Sequence, residues 1–194
     1  MPEFLSKTCI PLLALVILQN CFPRIAADQI EHPAWVNWSK FPVGTRVTMR
    51  SVTKIKGMVS STVETTTVLM KKDDKAVVIR KSFAVAGEPK PNPDDFVETT
   101  IKRYFPLLPG ADPSKVGKPA GIAEAGTEKF DLLGKTYETE WYESRATTEA
   151  GPATTRTWIS QEMPGQIVRS LTEVKAAGKS TVDEVIEIDL PVPN

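Results

Sequence analysis

Cysteine and histidine are nearly missing from this chain, whose 194 residues hold two of the first and one of the second. Both cysteines, Cys9 and Cys21, lie in the first 27 residues, so a chain trimmed there has no thiol and no disulfide to staple it. Metal centres and nucleophile–base pairs usually need several His, Cys or clustered carboxylates, which removes most of that chemistry before geometry is considered. An excess of one charge is lacking too. Lys+Arg and Asp+Glu both number 24, leaving no basic surplus for nucleic acid and no acidic surplus to keep the chain unfolded. Long apolar runs are absent as well: the longest, Ile10 to Leu18, falls well short of the roughly 20 residues of a bilayer-spanning helix. There is no Gly-rich phosphate loop and no nucleophile elbow.

What is present begins with Cys9 to Phe22, an apolar stretch preceded by Lys7 and followed by Ile25-Ala26-Ala27. That is the layout of a signal peptide, with cleavage expected after Ala27, residues 28–194 forming one domain, and no transmembrane anchor retained. The removed segment carries Lys7, Arg24 and Glu3, so the remainder stays close to neutral. A lipoprotein reading would need small residues before the modified cysteine, and Leu18-Gln19-Asn20 before Cys21 fit it poorly. Export without disulfides leaves stability to core burial and the sheet ladder.

The rest reads as strands. Thr154 to Val174 is two of them folded back around Met163-Pro164-Gly165, where Pro lacks an amide hydrogen and Gly tolerates positive φ. Further strands are expected over Thr45–Ile55, Met58–Lys71, Ala76–Val85, Val97–Tyr104, Glu128–Leu133, Thr136–Arg145 and Ser180–Leu190. The second is Val/Thr-rich and long enough to need a bulge. Lys72-Asp73-Asp74-Lys75 turns it, with Asp bonding its own backbone. Asp94 to Phe105 also fits a helix, but Val97, Thr99 and Ile101 alternate. Gly87 to Pro93 is too proline-rich for a central strand, and Pro106 to Gly126 reads as a long connection that covers or binds something. Between the cleavage site and the first strand, Pro33 with Trp35 and Trp38 indicates one short helical turn laying two indoles on one side. The fold class expected is mainly β: a single curved antiparallel meander, as a half-barrel or flattened barrel.

Candidate chemistry is sparse. His32 beside Pro33 reads as a surface imidazole, and Asp73-Asp74 and Asp94-Asp95 as turn residues without calcium-loop spacing. Glu138 and Glu140 share a strand face, as acid/base carboxylates would, but so does the solvent side of any strand. Asn37-Trp38-Ser39 matches a glycosylation sequon and is treated as chance. No metal, cofactor or catalytic residue is assigned, and no enzyme is expected.

Apolar surface remains. A sheet with aromatic and aliphatic residues on its concave side, and no large helix to cover them, either closes on itself or leaves a cavity. Met49, Leu69, Trp141, Trp158 and Ile186 are the candidate residues lining such a cavity, for an acyl chain or the apolar segment of a partner. Gly134-Lys135, Trp141-Tyr142-Glu143, Thr157-Trp158-Ile159-Ser160, Met163-Pro164-Gly165 and Ile167-Val168-Arg169, with Trp35 to Arg50 as a second patch, resemble a pattern in uncharacterised exported bacterial proteins. More distantly they resemble the half-barrel lipoprotein carriers of the bacterial envelope. The resemblance implies a curved antiparallel sheet with an apolar concave face and an envelope location; with the signal segment, the expected location is periplasmic or secreted. The chain departs from the carriers in lacking recognisable covering helices. The expectation is a monomeric, non-enzymatic module that binds a lipid, another apolar molecule or an envelope protein, and no nucleic acid. The alternative is a structural or interaction domain with a closed core.

Overall fold

Period-2 alternation of β-branched residues lays down the strands, and the computed structural model describes them over residues 29–88 and 95–191. The expected signal segment and Asp94 lie outside these residues. The first group of strands is β2 (Arg46–Ile55), β3 (Met58–Lys72), β4 (Ala76–Val85) and β5 (Val97–Lys102). The second is β7 (Ile122–Leu132), β8 (Lys135–Thr148), β9 (Gly151–Ile159), β10 (Ile167–Val174) and β11 (Lys179–Asp189). Both groups join in one nine-stranded antiparallel sheet of order β5-β4-β3-β2-β11-β10-β9-β8-β7, open at β5 and β7. The fold is the mainly β, single curved antiparallel meander sheet expected, with one joint the local patterns leave unstated: β11 returns beside β2 and fuses two meanders into one.

The turns follow from side-chain chemistry. Asp73 Oδ1 accepts hydrogen bonds from the backbone N–H of Lys75 at 2.8 Å and Ala76 at 2.7 Å, and these hold its carboxyl below the ordinary aspartate range. Gly57 turns β2 into β3 at φ +83°. The bulge expected in the second strand falls between Leu69 and Lys71. Others fall between Val185 and Glu187 and between Ile167 and Arg169, and each bends and twists the ribbon.

Several segments differ from the sequence reading: the strand expected over Val97–Tyr104 ends at Lys102, β8 runs on to Thr148, and β9 starts at Gly151. The N-terminal residues, which show no alternation, contribute β1 (Gln29–Glu31), paired with β6 (Tyr104–Pro106). The strand expected from Glu128 begins six residues earlier, at Ile122, because β8 supplies ladder partners as far as Ser144.

Directly opposed residues share a face of the sheet, so the register sorts the side chains. Phe83, Thr65, Met49 and Val185 form one row on what we call the inner face. One residue along the strands, on the outer face, run Glu64, Arg50, Glu184, Arg169, Trp158 and Trp141. Inner-face Leu69, Val77 and Val185 are almost wholly buried, each contributing about 1.5–3 kcal/mol. The apolar inner surface lies toward one end of the strands, from β5 across to β11. Toward the other end it gives way to a row of hydroxyls, Ser61, Thr53, Thr181, Thr172, Thr155 and Ser144, in which Thr53–Thr181 and Thr155–Thr172 are each 3.0 Å apart.

Candidate functional site

A single short helix covers the apolar half of the inner face. α1 (Pro33–Trp38) starts on Pro33, whose missing N–H costs nothing at the first helical position, and is capped by His32, whose Nδ1 accepts from Ala34 N–H at 3.1 Å. Six residues form no stable helix alone, so its order comes from tertiary anchors. At its start, Arg103 donates to Glu31 at 2.7 Å and lies over the Trp35 ring at 4.5 Å. Just past its end, Lys72 Nζ donates to the carbonyls of Ser39 and Phe41 at 3.0 and 2.6 Å, a cation at the helix C-terminus.

The central anchor is Asn37, which is 0% exposed. Its Nδ2 donates to Met163 O at 3.0 Å and Gln161 O at 3.4 Å, and its Oδ1 accepts from Gly165 N–H at 2.7 Å. The helix is thereby clamped to the β9–β10 turn. That turn keeps Gly165 at φ +81°, and a Cβ there would meet the Trp38 ring at 3.4 Å. The sequon asparagine is therefore a buried clamp.

Between helix, turn and sheet lies a cavity of about 340 Å³, within the roughly 300–1,000 Å³ of small-molecule sites. Ala34, Trp38 and Pro164 roof it; Val47, Met49, Ile79 and Ile101 wall it, with Ile167 at one side. The polar side chains reaching it are Thr65, Thr67 and Lys81. A larger depression of about 540 Å³ at the ends of β8–β11 is lined by Thr148, Ala153, Thr172, Val174 and Thr181. It lacks aromatic or long aliphatic walls and suits an apolar ligand less.

The expected ligand-lining set divides. Met49 lines the cavity, and Leu69 is fully buried in the core on the same face. Ile186 occupies the bulge between Val185 and Glu187 and does not line the cavity. Trp141 and Trp158 stand opposite each other on the outer face, so one cavity cannot hold all five. The reason is parity: Trp158 opposes Arg169, which opposes Glu184, which opposes Arg50, the neighbour of Met49. On that face Arg156 lies over the Trp141 ring at 4.5 Å and pairs with Glu143 at 2.8 Å. Arg156, and then Arg145, hold the Glu143 carboxyl below the usual range. The Trp158 indole N–H donates to Glu128. Trp158 also borders a cleft of about 250 Å³ framed by Glu143, Arg156, Leu171 and Glu173, whose charges make it a polar site.

The carboxylates weighed for acid/base work do share a face, and both are exposed. Glu138 pairs with Lys129 at 3.3 Å, and Glu140 accepts from the Tyr142 hydroxyl. Burial, and then that bond to Glu140, push the Tyr142 phenol up to about 12. Among the described residues no cluster of His, Cys, Asp or Glu could hold a metal ion, and no helix is long and apolar enough to cross a membrane.

Sequence reasoning missed Ile79, Ile101 and Lys81 as cavity residues. Ile79 and Ile101 fall on the alternating positions of β4 and β5, but which alternate set faces inward depends on what covers the sheet. The sequence places Trp38 on a short helical turn, and its role as roof follows from the Asn37 clamp.

No protein-family model matches the chain, and no curated protein matches its sequence. Solved structures similar to it include a protein from Bacteroides fragilis described as exported and of YmcC-like fold, 10% identical, with TM-score 0.48, covering 84% of this chain and 100% of that one. The lipoprotein LppX of Mycobacterium tuberculosis is 13% identical, with TM-score 0.38 and coverage of 82% and 93%. A LolA superfamily protein of Nitrosomonas europaea is 7% identical, with TM-score 0.28 and coverage of 85% and 96%.

Proposed function

We propose that this protein is an exported, non-enzymatic binding module that holds an apolar ligand, an acyl chain above all, in the cavity under α1. The observation that carries the reading is the cavity itself: about 340 Å³, walled by Val47, Met49, Ile79 and Ile101 and roofed by Trp38, on an open sheet. A closed structural core would fill that volume, because interiors pack as densely as organic crystals. Trp38 at the roof gives the site its own reporter. Native mass spectrometry of protein purified from its own host is expected to show co-purified lipid, and acyl ligands are expected to change tryptophan fluorescence. Met49→Trp, which fills the cavity, should abolish both, while Trp141→Phe on the outer face should abolish neither. Protein free of lipid, with no fluorescence response to any acyl ligand, refutes the proposal.

A further inference from the structure

We propose that the cavity selects a single-chain amphiphile with an anionic head, a carboxylate or a phosphate, and that Lys81 is the residue that holds the head. The inference rests on the apolar-ligand reading and names its chemical class. Among the described residues lining the cavity, Lys81 is the one charged side chain. Its place on the inner face is fixed by register: it opposes Thr67 on β3 and Val97 on β5, and Thr67 in turn opposes Val47.

No carboxylate shares that face on β2 to β5. The acids of these strands, Glu64 and Glu98, point outward and pair with Arg50 at 2.8 Å and Arg80 at 3.4 Å. Among the described residues, no hydrogen bond or ion pair engages Lys81 Nζ. The other cations near the cover are committed: Lys72 to the Ser39 and Phe41 carbonyls, Lys40 to Gln161 at 3.1 Å, and Arg103 to Glu31. Lys81 is half-buried between Ile79 and Phe83, its neighbours on the same face. An ammonium there gives up water without a counter-charge, and an anion entering the cavity would supply one. Thr65 and Thr67 bring two hydroxyl donors to the same wall. Apart from these three residues and Gly165, the lining is aliphatic or aromatic, so a ligand matching it has one charged group and one hydrocarbon chain.

The test is displacement of cis-parinaryl alcohol, an uncharged fluorescent chain, from the full protein at neutral pH and low salt. The competitors are hexadecanol, hexadecanoate and 1-hexadecanoyl lysophosphatidate. Both anions are expected to compete about 10- to 100-fold more tightly than the alcohol, the range a hydrogen bond to a charged group sustains. Which anion binds tighter distinguishes a free fatty acid from a lysophospholipid. Lys81→Met should lower the anion-to-alcohol affinity ratio to about one, and Lys81→Arg should keep the preference. Far-ultraviolet circular dichroism and an unfolding midpoint like that of wild type show that each variant is folded. An anion-to-alcohol ratio equal in wild type and Lys81→Met overturns this inference and leaves the apolar-ligand reading standing. Failure of all three competitors and the reporter to bind overturns both.

Discussion

Removing the Asn37 amide should unfasten the cover of the cavity. In Asn37→Ala the backbone N–H of Gly165 loses its partner in a half-buried setting, while the carbonyl of Met163 keeps the N–H of Gln166 at 2.9 Å. Leaving such a group unsatisfied costs about 1–3 kcal/mol. The Gln161 carbonyl, held at 3.4 Å on an exposed residue, can return to water and adds little. The expected loss is about 1–3 kcal/mol, or about 0.5–1.5 M in urea midpoint for a slope near 2 kcal/mol/M. Asn37→Asp is nearly isosteric and keeps an acceptor for Gly165, yet it sets a carboxylate oxygen against the Met163 and Gln161 carbonyls at a site that is 0% exposed. It should cost at least as much as alanine. Urea unfolding followed by far-ultraviolet circular dichroism, with the slope unchanged, measures both. An Asn37→Ala midpoint within about 0.5 kcal/mol of wild type, or an Asn37→Asp variant as stable as wild type, refutes the claim that this amide clamps helix to turn.

Leu69→Ala empties a fully buried site on the inner face and should cost about 2–5 kcal/mol in thermal or urea unfolding, whereas Val43→Ala, at 48% exposure, should stay within about 0.5 kcal/mol. Gly126 lies opposite Trp141, and a Cβ there would meet indole atoms at 2.8 Å; Gly126→Ala should therefore displace the ring from Arg156, shift tryptophan emission and cost about 1–3 kcal/mol. Alkaline titration by tyrosinate absorbance should show one of the three tyrosines ionising late, near the value of about 12 given to Tyr142, and Tyr142→Phe should remove that step. Because the phenol ionises more readily in the unfolded chain, Tyr142 contributes stability below its unfolded pKa of about 10, and that contribution falls away as pH rises through the window up to about 12.

Local pattern made most of the strands legible. Alternation in Val47, Met49 and Ile55 and the Val/Thr run after Met58 identify β2 and β3, and Pro164-Gly165 marks the turn between β9 and β10, all before any tertiary contact is considered. The start of β7 was not legible, because Ile122-Ala123-Glu124-Ala125-Gly126 has weak strand propensity and pairs only through β8. Of the expected lining set, the register places Met49 beside the cavity and Trp141 and Trp158 on the opposite face, where Trp158 is buried against Phe130; alternation alone does not give that division.

The sequence by itself determined the period of each strand, the turns between them and the helical start at Pro33, since these depend on φ preferences, β-branching and side-chain bonds to nearby backbone. Only the tertiary structure decided which alternate set of side chains faces inward, because that sign is fixed by a partner distant in the chain. The pairing of β2 with β11 sets the indoles apart from Met49, and Asn37, binding a turn more than a hundred residues away, decides which face is roofed. Lys81 gains its meaning the same way: a lysine in an alternating strand reads as solvated until the fold shows it beside an apolar cavity, with no carboxylate on that face of β2 to β5.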